Sequence, residues 1–284
     1  MTSHGGCEKS CQVIDLFDGK VLDDPKMLAQ WEQTLVENMW NTPIVYNVSR
    51  PTLHAFLPDA RHATGVGIII CPGGAFVALS IENEGNEVAR WVSIHGIAGF
   101  VLHYRLIPCR SNDPTREPIM FSPKFLQQLQ EILPLAMSDG LRAMEIVRAN
   151  ALKYLVDPAK VGILGFSAGG AVTASVMHNY AASSKPAFAA LVYPAFYEYV
   201  PKPKGVPPDA PPVFLVAASD DELGLAHQTV EIYNAWIRAG KIAEMHIYSK
   251  GGHGFGMRKQ GLPTDGWPER LLDFLKAEGF VTVL

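Results

Sequence analysis

The stretch KVGILGFSAGGAVTASVM, residues 160 to 177, places a serine between an apolar run and a helix-like run. Ser167 has a glycine two positions before it and another two positions after it, which is the pattern Gly-x-Ser-x-Gly. Glycines there remove side chains that would collide where a strand turns sharply into a helix. The stretch therefore predicts a strained turn that exposes the Ser167 hydroxyl at the end of a strand. A bend that only needs a small residue is the alternative interpretation.

The surrounding sequence predicts the fold class. Apolar runs such as VGIII and PVFLVA alternate with helix-period segments, and continuous apolar runs suit parallel strands that are buried on both faces. This alternation predicts an α/β fold: a mostly parallel eight-stranded sheet with helices on both faces. The expected strands are residues 44–48, 52–57, 65–71, 99–104, 161–165, 188–193, 213–218 and 244–248. The expected helices are residues 24–37, 87–95, 137–155, 168–180, 225–239 and 267–278. The first two strands are expected to form an antiparallel hairpin at one edge.

The length and composition predict one compact domain over residues 1–284. The chain has 284 residues, of which 48% are hydrophobic and 18% are charged. Residues 110–133 interrupt the alternation, since they begin with the polar, proline-rich stretch RSNDPTREP. Long insertions in compact domains often serve as lids or binding loops, so we expect a small cap or lid here. A surface excursion without a role is the alternative.

Charge and cysteine content exclude several classes of protein. A formal charge of -4 gives no support for nucleic acid or an anionic membrane as partner. No apolar run reaches the roughly 18 residues of a membrane span, and no secretory signal is recognisable, so a cytoplasmic location is expected. Four cysteines in this length indicate free thiols rather than a disulfide scaffold or a zinc site. We expect no metal or cofactor, and edge pairing of sheets favours a homodimer.

A serine hydroxyl needs a base before it can act as a nucleophile. For a serine on this kind of turn, an acid and then a histidine should follow along the chain, each at a strand end. Of nine histidines, His253 in YSKGGHGFGM fits best, because it follows the last strand. The acid should follow PVFLVAAS, where three acids stand together. We select Asp220 as the first of them, with Asp221 as the alternative.

Two further groups are expected at the same edge. The loop IIICPGGAF, residues 68 to 76, ends a strand, and the amides of Gly74 and Ala75 could bind a developing oxyanion together with that of Ala168. A common Pro-Gly-Gly turn is the alternative. Aromatic residues close to the strand ends predict an apolar pocket, although core packing stays open for them. The expected substrate contacts are Phe76, Phe196 and Phe255.

The sequence resembles the α/β-hydrolase superfamily and, within it, the acetyl esterase and acetylxylan-esterase-like group. The resemblance runs from about residue 65 to residue 274. It implies a catalytic triad of Ser167, Asp220 and His253 and an oxyanion role for residues 73–75. It also implies hydrolysis of carboxylic esters of small acyl groups, acetyl or similar, carried by a carbohydrate or small metabolite. The matching motifs are CPGGAF, EGNEVARWVSIHGIAGFVLHYRL, SDGLRAMEIVRANA, VGILGFSAGG, PPVFLVAASDDE and YSKGGHGFGM.

The chain departs from this family pattern at Ala75, where relatives usually have a third glycine, and around the acid, where Glu222 is followed by Leu-Gly. These departures bear on the substrate more than on the chemistry. A lactonase, an amidase or a peptidase could use the same scaffold, because the pocket decides the reaction. An acyl-transferring enzyme and a non-catalytic binding protein are further alternatives.

Overall fold

The computed structural model describes residues 12–17, 34–39, 42–109, 122–202 and 205–282. Within them, eight strands form one sheet and three form another. The strands are β1 (Gln12–Asp15), β2 (Thr34–Met39), β3 (Thr42–Tyr46), β4 (Thr52–Phe56), β5 (Gly65–Cys71), β6 (Ala78–Leu79), β7 (Ala98–His103), β8 (Val156–Phe166), β9 (Ala189–Val192), β10 (Val213–Ala218) and β11 (Ala243–Tyr248). The α-helices are α1 (Glu87–Ile94), α2 (Pro123–Ala149), α3 (Ser167–Asn179), α4 (Ala226–Arg238) and α5 (Trp267–Ala277).

The large sheet has the strand order β1-β4-β7-β5-β8-β9-β10-β11. Strand β4 runs antiparallel to β1 and β7, and the pairs from β7 onward to β11 are parallel. The prediction of a mostly parallel eight-stranded sheet is therefore confirmed. Because β9 and β10 are buried throughout and β5 is buried after its first residue, they form the apolar centre of the fold. Parallel strands end at one edge, so the segments after β5, β8, β10 and β11 meet there.

The expected hairpin at residues 44–57 is wrong. Strand β3 pairs with β2 and β6 in the small sheet, whereas β4 pairs with β1 and β7 in the large one. The connection does not fold back on itself, because Asn47 exchanges two hydrogen bonds with the backbone of Cys109 and Leu106 donates to the Val48 carbonyl. These bonds to residues 106–109 take the place of a hairpin turn between β3 and β4. One edge of the large sheet is formed by β1 instead.

Two helix predictions also need correction. Residues 34–37, expected to end a helix, belong to strand β2, which pairs with β3; the earlier part of that helix lies outside the described residues. Helix α2 begins at Pro123, well before the expected residue 137, because the Ser122 hydroxyl caps it by accepting from the Phe125 amide. Residues 122–133 of the expected cap are thus the N-cap residue and the first turns of α2. The remainder, 110–121, lies outside the described residues.

The helices pack on the sheet. Helix α3 is buried along almost its whole length, which places it in the centre of the molecule beside β8. Among the described residues, no helix is both long enough and apolar enough to cross a lipid bilayer.

Candidate active site

The turn from β8 into α3 has the geometry that the Gly-x-Ser-x-Gly pattern predicts. Ser167 is the first residue of α3 and has φ 48°, in the left-handed region that costs a non-glycine residue about 1–2 kcal/mol. A Cβ on Gly165 would lie 2.1 Å from the carbonyl oxygen of Gly169, and one on Gly169 would lie 2.0 Å from that of Cys71. Only glycine fits at these two positions, because α3 presses against the ends of β8 and β5.

His253 lies against the serine hydroxyl. Its Nε2 is 2.9 Å from Ser167 Oγ, and its Nδ1 is 2.9 Å from Asp221 Oδ2. A carboxylate only accepts, so Nδ1 carries a proton and Nε2 is free to accept the proton of Ser167. Asp221 is buried, and its other oxygen accepts from the Leu223 amide, which fixes the carboxylate. The three side chains form one continuous hydrogen-bonded chain.

The acid that faces the imidazole is Asp221, rather than the expected Asp220. The Asp221 amide donates to the carbonyl of Ala218, the last residue of β10, and this turn directs its side chain inward. Asp220 is exposed and accepts from the amide of Gly252, while Glu222 accepts from the amide of His253. The outer two acids therefore hold the backbone of the histidine loop (residues 249–258), and the middle acid holds the ring.

The glycine loop (residues 72–76) is a second loop beside Ser167. Gly74 and Ala75 line the same cavity as Ser167. Among the described residues, nothing accepts a hydrogen bond from the amides of these two residues. The Ala168 amide lies in the first turn of α3, where helical amides lack an intrahelical acceptor. Two of the three amides that the sequence suggested, those of Gly74 and Ala75, therefore belong to residues of the serine cavity, and the third, that of Ala168, directly follows Ser167 in α3.

The three aromatic residues expected to touch the substrate are core residues instead. Phe76, Phe196 and Phe255 are each at most 1% exposed, and none of them lines the cavity. Phe76 packs against Phe196 with ring centroids 6.0 Å apart, and Phe255 packs against Tyr193 at 4.6 Å. The sequence predicted correctly that these residues lie near strand ends. It did not predict that their rings turn inward, toward the core.

The cavity above the serine has a volume of about 370 Å³. Most of the residues that line it carry polar side chains, although apolar atoms make up the larger part of its lining surface. Its lining includes Leu223, the acidic Glu222 and the cationic Arg258. The other polar side chains around Ser167 and His253 are Thr42, Ser80, Asn83 and Glu84. The sequence analysis missed Asn83 and Glu84. Both lie in the acidic stretch ENEGNE, which is typical of a solvated turn, and Glu84 is also the first residue of the family-matching stretch EGNEVARWVSIHGIAGFVLHYRL.

Glu84 is a buried acid at the floor of this site. It is 4% exposed and lies in a π-helical turn, Glu82–Asn86, that leads into α1. Its Oε2 accepts from the Gly73 amide at 2.7 Å, and its Oε1 accepts from the Tyr193 hydroxyl at 2.8 Å. Burial raises the pKa of Glu84 above its usual value, and these two hydrogen bonds only partly oppose this effect. Burial and the neighbouring Glu84 charge raise the pKa of Tyr193 well above its usual value, so its hydroxyl keeps the proton it donates.

Comparison with known proteins agrees with this architecture. A family model described as alpha/beta hydrolase fold matches residues 119–206. The crystal structure of an acetyl ester-xyloside bifunctional hydrolase from Caldicellulosiruptor lactoaceticus is similar over 95% of this chain and 97% of that one, with a TM-score of 0.68 at 22% identity. A thermophilic esterase from Thermogutta terrifontis, with propionate bound, is similar over 92% and 98%, with a TM-score of 0.65 at 19% identity. The protein therefore has the α/β-hydrolase fold.

The resemblance to the acetylxylan-esterase-like group is also confirmed. An acetylxylan esterase of Xylanibacter ruminicola is 28% identical over 229 residues, which is 71% of this chain and 43% of that protein. The chain spans less than half the length of the curated relatives it matches.

Proposed function

We propose that the protein is a serine esterase that hydrolyses esters of acetic acid, or of similarly small acids, carried by carbohydrate. The observation that carries this proposal is the continuous hydrogen-bonded chain from Asp221 through His253 to Ser167, with 2.9 Å at each step. A hydroxyl with a base against it, and an acid that fixes the base, is the arrangement that makes serine nucleophilic. It ends in a cavity that a substrate can enter.

The proposed reaction begins with proton transfer from Ser167 Oγ to His253 Nε2 while Oγ attacks the ester carbonyl. Asp221 stabilises the imidazolium that forms and keeps the ring in the required tautomer. The carbonyl oxygen becomes an oxyanion, for which the amides of Gly74, Ala75 and Ala168 are the proposed donors. His253 then gives its proton to the departing alcohol oxygen, and the acyl group stays on Ser167.

A water molecule completes the cycle. His253 takes a proton from the water as its oxygen attacks the acyl-enzyme carbonyl, and the same amides hold the second oxyanion. The bond to Ser167 Oγ breaks, Oγ recovers its proton from His253, and the carboxylic acid leaves. The cycle balances with ester and water as the only reactants.

The cavity supports a polar alcohol and a small acyl group. Its volume of about 370 Å³ is near the lower end for small-molecule sites. Hydroxyl, amide and charged side chains line part of it, and these are groups that bind sugar hydroxyls. A relative is named acetylxylan esterase, and one similar structure holds propionate. The three phenylalanines that were expected to make the pocket apolar lie in the core and do not line it.

The decisive experiment compares wild type with Ser167→Ala on p-nitrophenyl acetate, butyrate and octanoate and on acetylated xylo-oligosaccharides. We expect wild type to prefer acetate, and kcat of the variant to fall by about 10⁶-fold, as when a nucleophile is removed from such a triad. Circular dichroism checks the fold of the variant. Ser93→Ala, on the exposed part of α1, is the matched control and should keep full activity.

Two results would contradict the proposed function. If the folded wild type hydrolyses none of these esters and does not react with a fluorophosphonate, the proposed esterase function is wrong and a binding protein is favoured. If it reacts with the fluorophosphonate but cleaves only lactones or aminoacyl amides from a wider panel, the nucleophile stands and the substrate class is wrong.

A further inference from the structure

We propose that Glu84 and Tyr193 form a buried brace that sets the distance between the glycine loop and the histidine loop during ester hydrolysis. This inference rests on the proposed esterase function. Glu84 is then a positioning residue: it touches neither Ser167 Oγ nor the imidazole through any hydrogen bond, and it acts through the backbone of Gly73 and through Tyr193.

The first half of the brace fixes the glycine loop. The amide of Gly73 donates to Glu84 Oε2 at 2.7 Å, and the next two residues carry the amides assigned to the oxyanion. A Cβ on Gly73 would lie 2.6 Å from Glu84 Oε2 and 2.9 Å from Ser167 Cβ. The backbone at residue 73 thus lies between the carboxylate and the nucleophile, so that any movement of Glu84 changes how the loop sits against Ser167.

The second half of the brace reaches the histidine loop. Tyr193, which directly follows β9, donates its hydroxyl to Glu84 Oε1 and accepts from the amide of Gly256, each at 2.8 Å. Its ring also packs against the imidazole of His253, with centroids 5.0 Å apart. One carboxylate therefore links the loop that holds the amides to the loop that holds the base.

A neighbouring residue strengthens the same connection. The side-chain oxygen of Asn83 accepts from the amides of Met257 and Arg258, each at 3.0 Å. The turn that contains Asn83 and Glu84 is therefore bonded to the histidine loop at one residue and to the glycine loop at the next. No other described segment bonds both loops through adjacent side chains.

The ionised form of Glu84 satisfies every polar group in the brace. Its two oxygens accept from two donors, and the Tyr193 oxygen donates once and accepts once. A protonated Glu84 would donate to Tyr193, whose own hydroxyl proton would then lose its acceptor. Leaving a buried donor unsatisfied is costly, so the arrangement needs a group that accepts on both oxygens. Glutamine keeps the shape but presents a donor on one side.

The test compares Glu84→Gln, Tyr193→Phe and the double variant with wild type in the hydrolysis of p-nitrophenyl acetate. The control is Glu82→Gln in the same turn, whose side chain pairs with Arg90 at the surface. We expect kcat to fall about 100-fold in Glu84→Gln, comparable to the loss of one oxyanion donor, and about tenfold in Tyr193→Phe. KM should stay within about threefold, since the brace acts on the transition state. Glu82→Gln should keep wild-type kcat.

Two readouts separate positioning from simple stabilisation. A trifluoromethyl ketone forms a tetrahedral oxyanion with the serine, so its affinity should fall by the same factor as kcat. The double variant should be no slower than Glu84→Gln, because residues that act as one unit are not additive. A purely structural role would lower the melting temperature while leaving kcat and inhibitor affinity of the folded enzyme unchanged.

The outcomes distinguish this inference from the proposed function. An active wild type with folded variants that keep kcat and inhibitor affinity within about threefold would overturn the brace and leave the esterase intact. A wild type that cleaves no ester refutes both. If Glu84→Gln does not fold, Tyr193→Phe carries the test, since it removes a single oxygen: a kcat equal to wild type overturns the brace.

Discussion

Two regions of the protein bury ionisable side chains, and they use the buried charge in different ways. At the carboxyl edge of the sheet, Asp221 and Glu84 lie around the cavity that Ser167 and His253 line. At the junction of β7 and α2, Arg105 pairs with Asp139, with side chains 5% and 0% exposed, and neither lines that cavity. Burial of charge is common to both regions, so burial by itself does not identify the active site.

The hydrogen bonds separate the two regions. Asp139 accepts from the Arg105 backbone amide and from its guanidinium, and Arg105 also donates to the Leu135 carbonyl. The two opposite charges of this pair therefore compensate each other. At the site, the bonds from Asp221 run outward through His253 and end on a hydroxyl at the cavity. A chain of hydrogen bonds that ends on a hydroxyl at a cavity is typical of a reactive site. An ion pair whose hydrogen bonds stay within the core, here called the closed pair, is typical of a structural role.

The largest effect that tests this contrast is expected for Asp221→Asn. The amide can no longer favour the protonated Nδ1, so His253 loses the tautomer that accepts from Ser167, and kcat should fall by about 10⁴-fold. Stability should change little. The matched control is Asp220→Asn, which keeps an oxygen to accept from the Gly252 amide and should stay within about fivefold of wild type.

Steady-state hydrolysis of p-nitrophenyl acetate measures both variants. If Asp220→Asn instead proves the slower of the two by orders of magnitude, the acid assigned from geometry is the wrong one. Equal, small effects of both changes would show that the bonded chain does not control the reaction.

The sequence predicted the parts of the site that depend on local chain geometry. The glycines at 165 and 169 and the positive φ at Ser167 are requirements of one turn, so the pattern of five residues contains them. The order of strand, acid and histidine likewise follows from the topology. The acid was misplaced by one residue, because the direction of a side chain in a tight turn depends on which amide closes it, here that of Asp221 to Ala218.

What the sequence could not reveal depends on contacts between distant segments. Glu84 meets Tyr193, 109 residues further on, and Asn83 meets Arg258, 175 residues further on. The rings of Phe76 and Phe196 lie at the right edge but turn inward to pack on each other. Strand β2 and the start of α2 were missed although they depend on neighbouring residues: β2 pairs with β3, the next strand along the chain, and the Ser122 hydroxyl accepts from the amide of Phe125.

The second prediction tests the closed pair. Asp139→Asn leaves Arg105 buried without its counter-charge, so the free energy of unfolding should fall by about 3–5 kcal/mol. Because the pair does not reach the cavity, kcat of the folded variant should stay within about twofold. Urea unfolding and ester hydrolysis measure the two quantities. The control is Glu145→Gln in the same helix, whose exposed pair with Arg142 should contribute at most about 1 kcal/mol.

A different pattern would remove the contrast between the regions. If Asp139→Asn retains its stability but loses kcat, the β7–α2 junction is coupled to the site. If Asp139→Asn and Glu145→Gln cost the same stability, the buried pair behaves like a surface pair and burial adds nothing.

The smallest expected effect concerns pH at the same junction. His103 ends β7, is 3% exposed and stacks on His54, with ring centroids 4.0 Å apart. Burial, reinforced by His54, lowers the pKa of His103 from 6.5 to about 3. His103 therefore stays neutral in the folded protein at pH values at which the same side chain binds a proton in the unfolded chain. The contribution of this histidine to stability is complete above pH 6.5 and declines as pH falls toward 3, by at most about 1.4 kcal/mol per pH unit.

The comparison that isolates this effect is between wild type and His103→Leu, with His62→Gln at an exposed position as the control. Urea unfolding at several pH values between 6.5 and 4.5 should give a shallower loss of stability in His103→Leu, while the His62→Gln slope should equal that of wild type. The closed region would then contribute to acid sensitivity without contributing to catalysis. If the slope of His103→Leu equals that of wild type, His103 takes up a proton in the folded state. The junction would then be more open to water than its hydrogen bonds indicate, and the distinction between the two regions would rest on the Arg105–Asp139 pair alone.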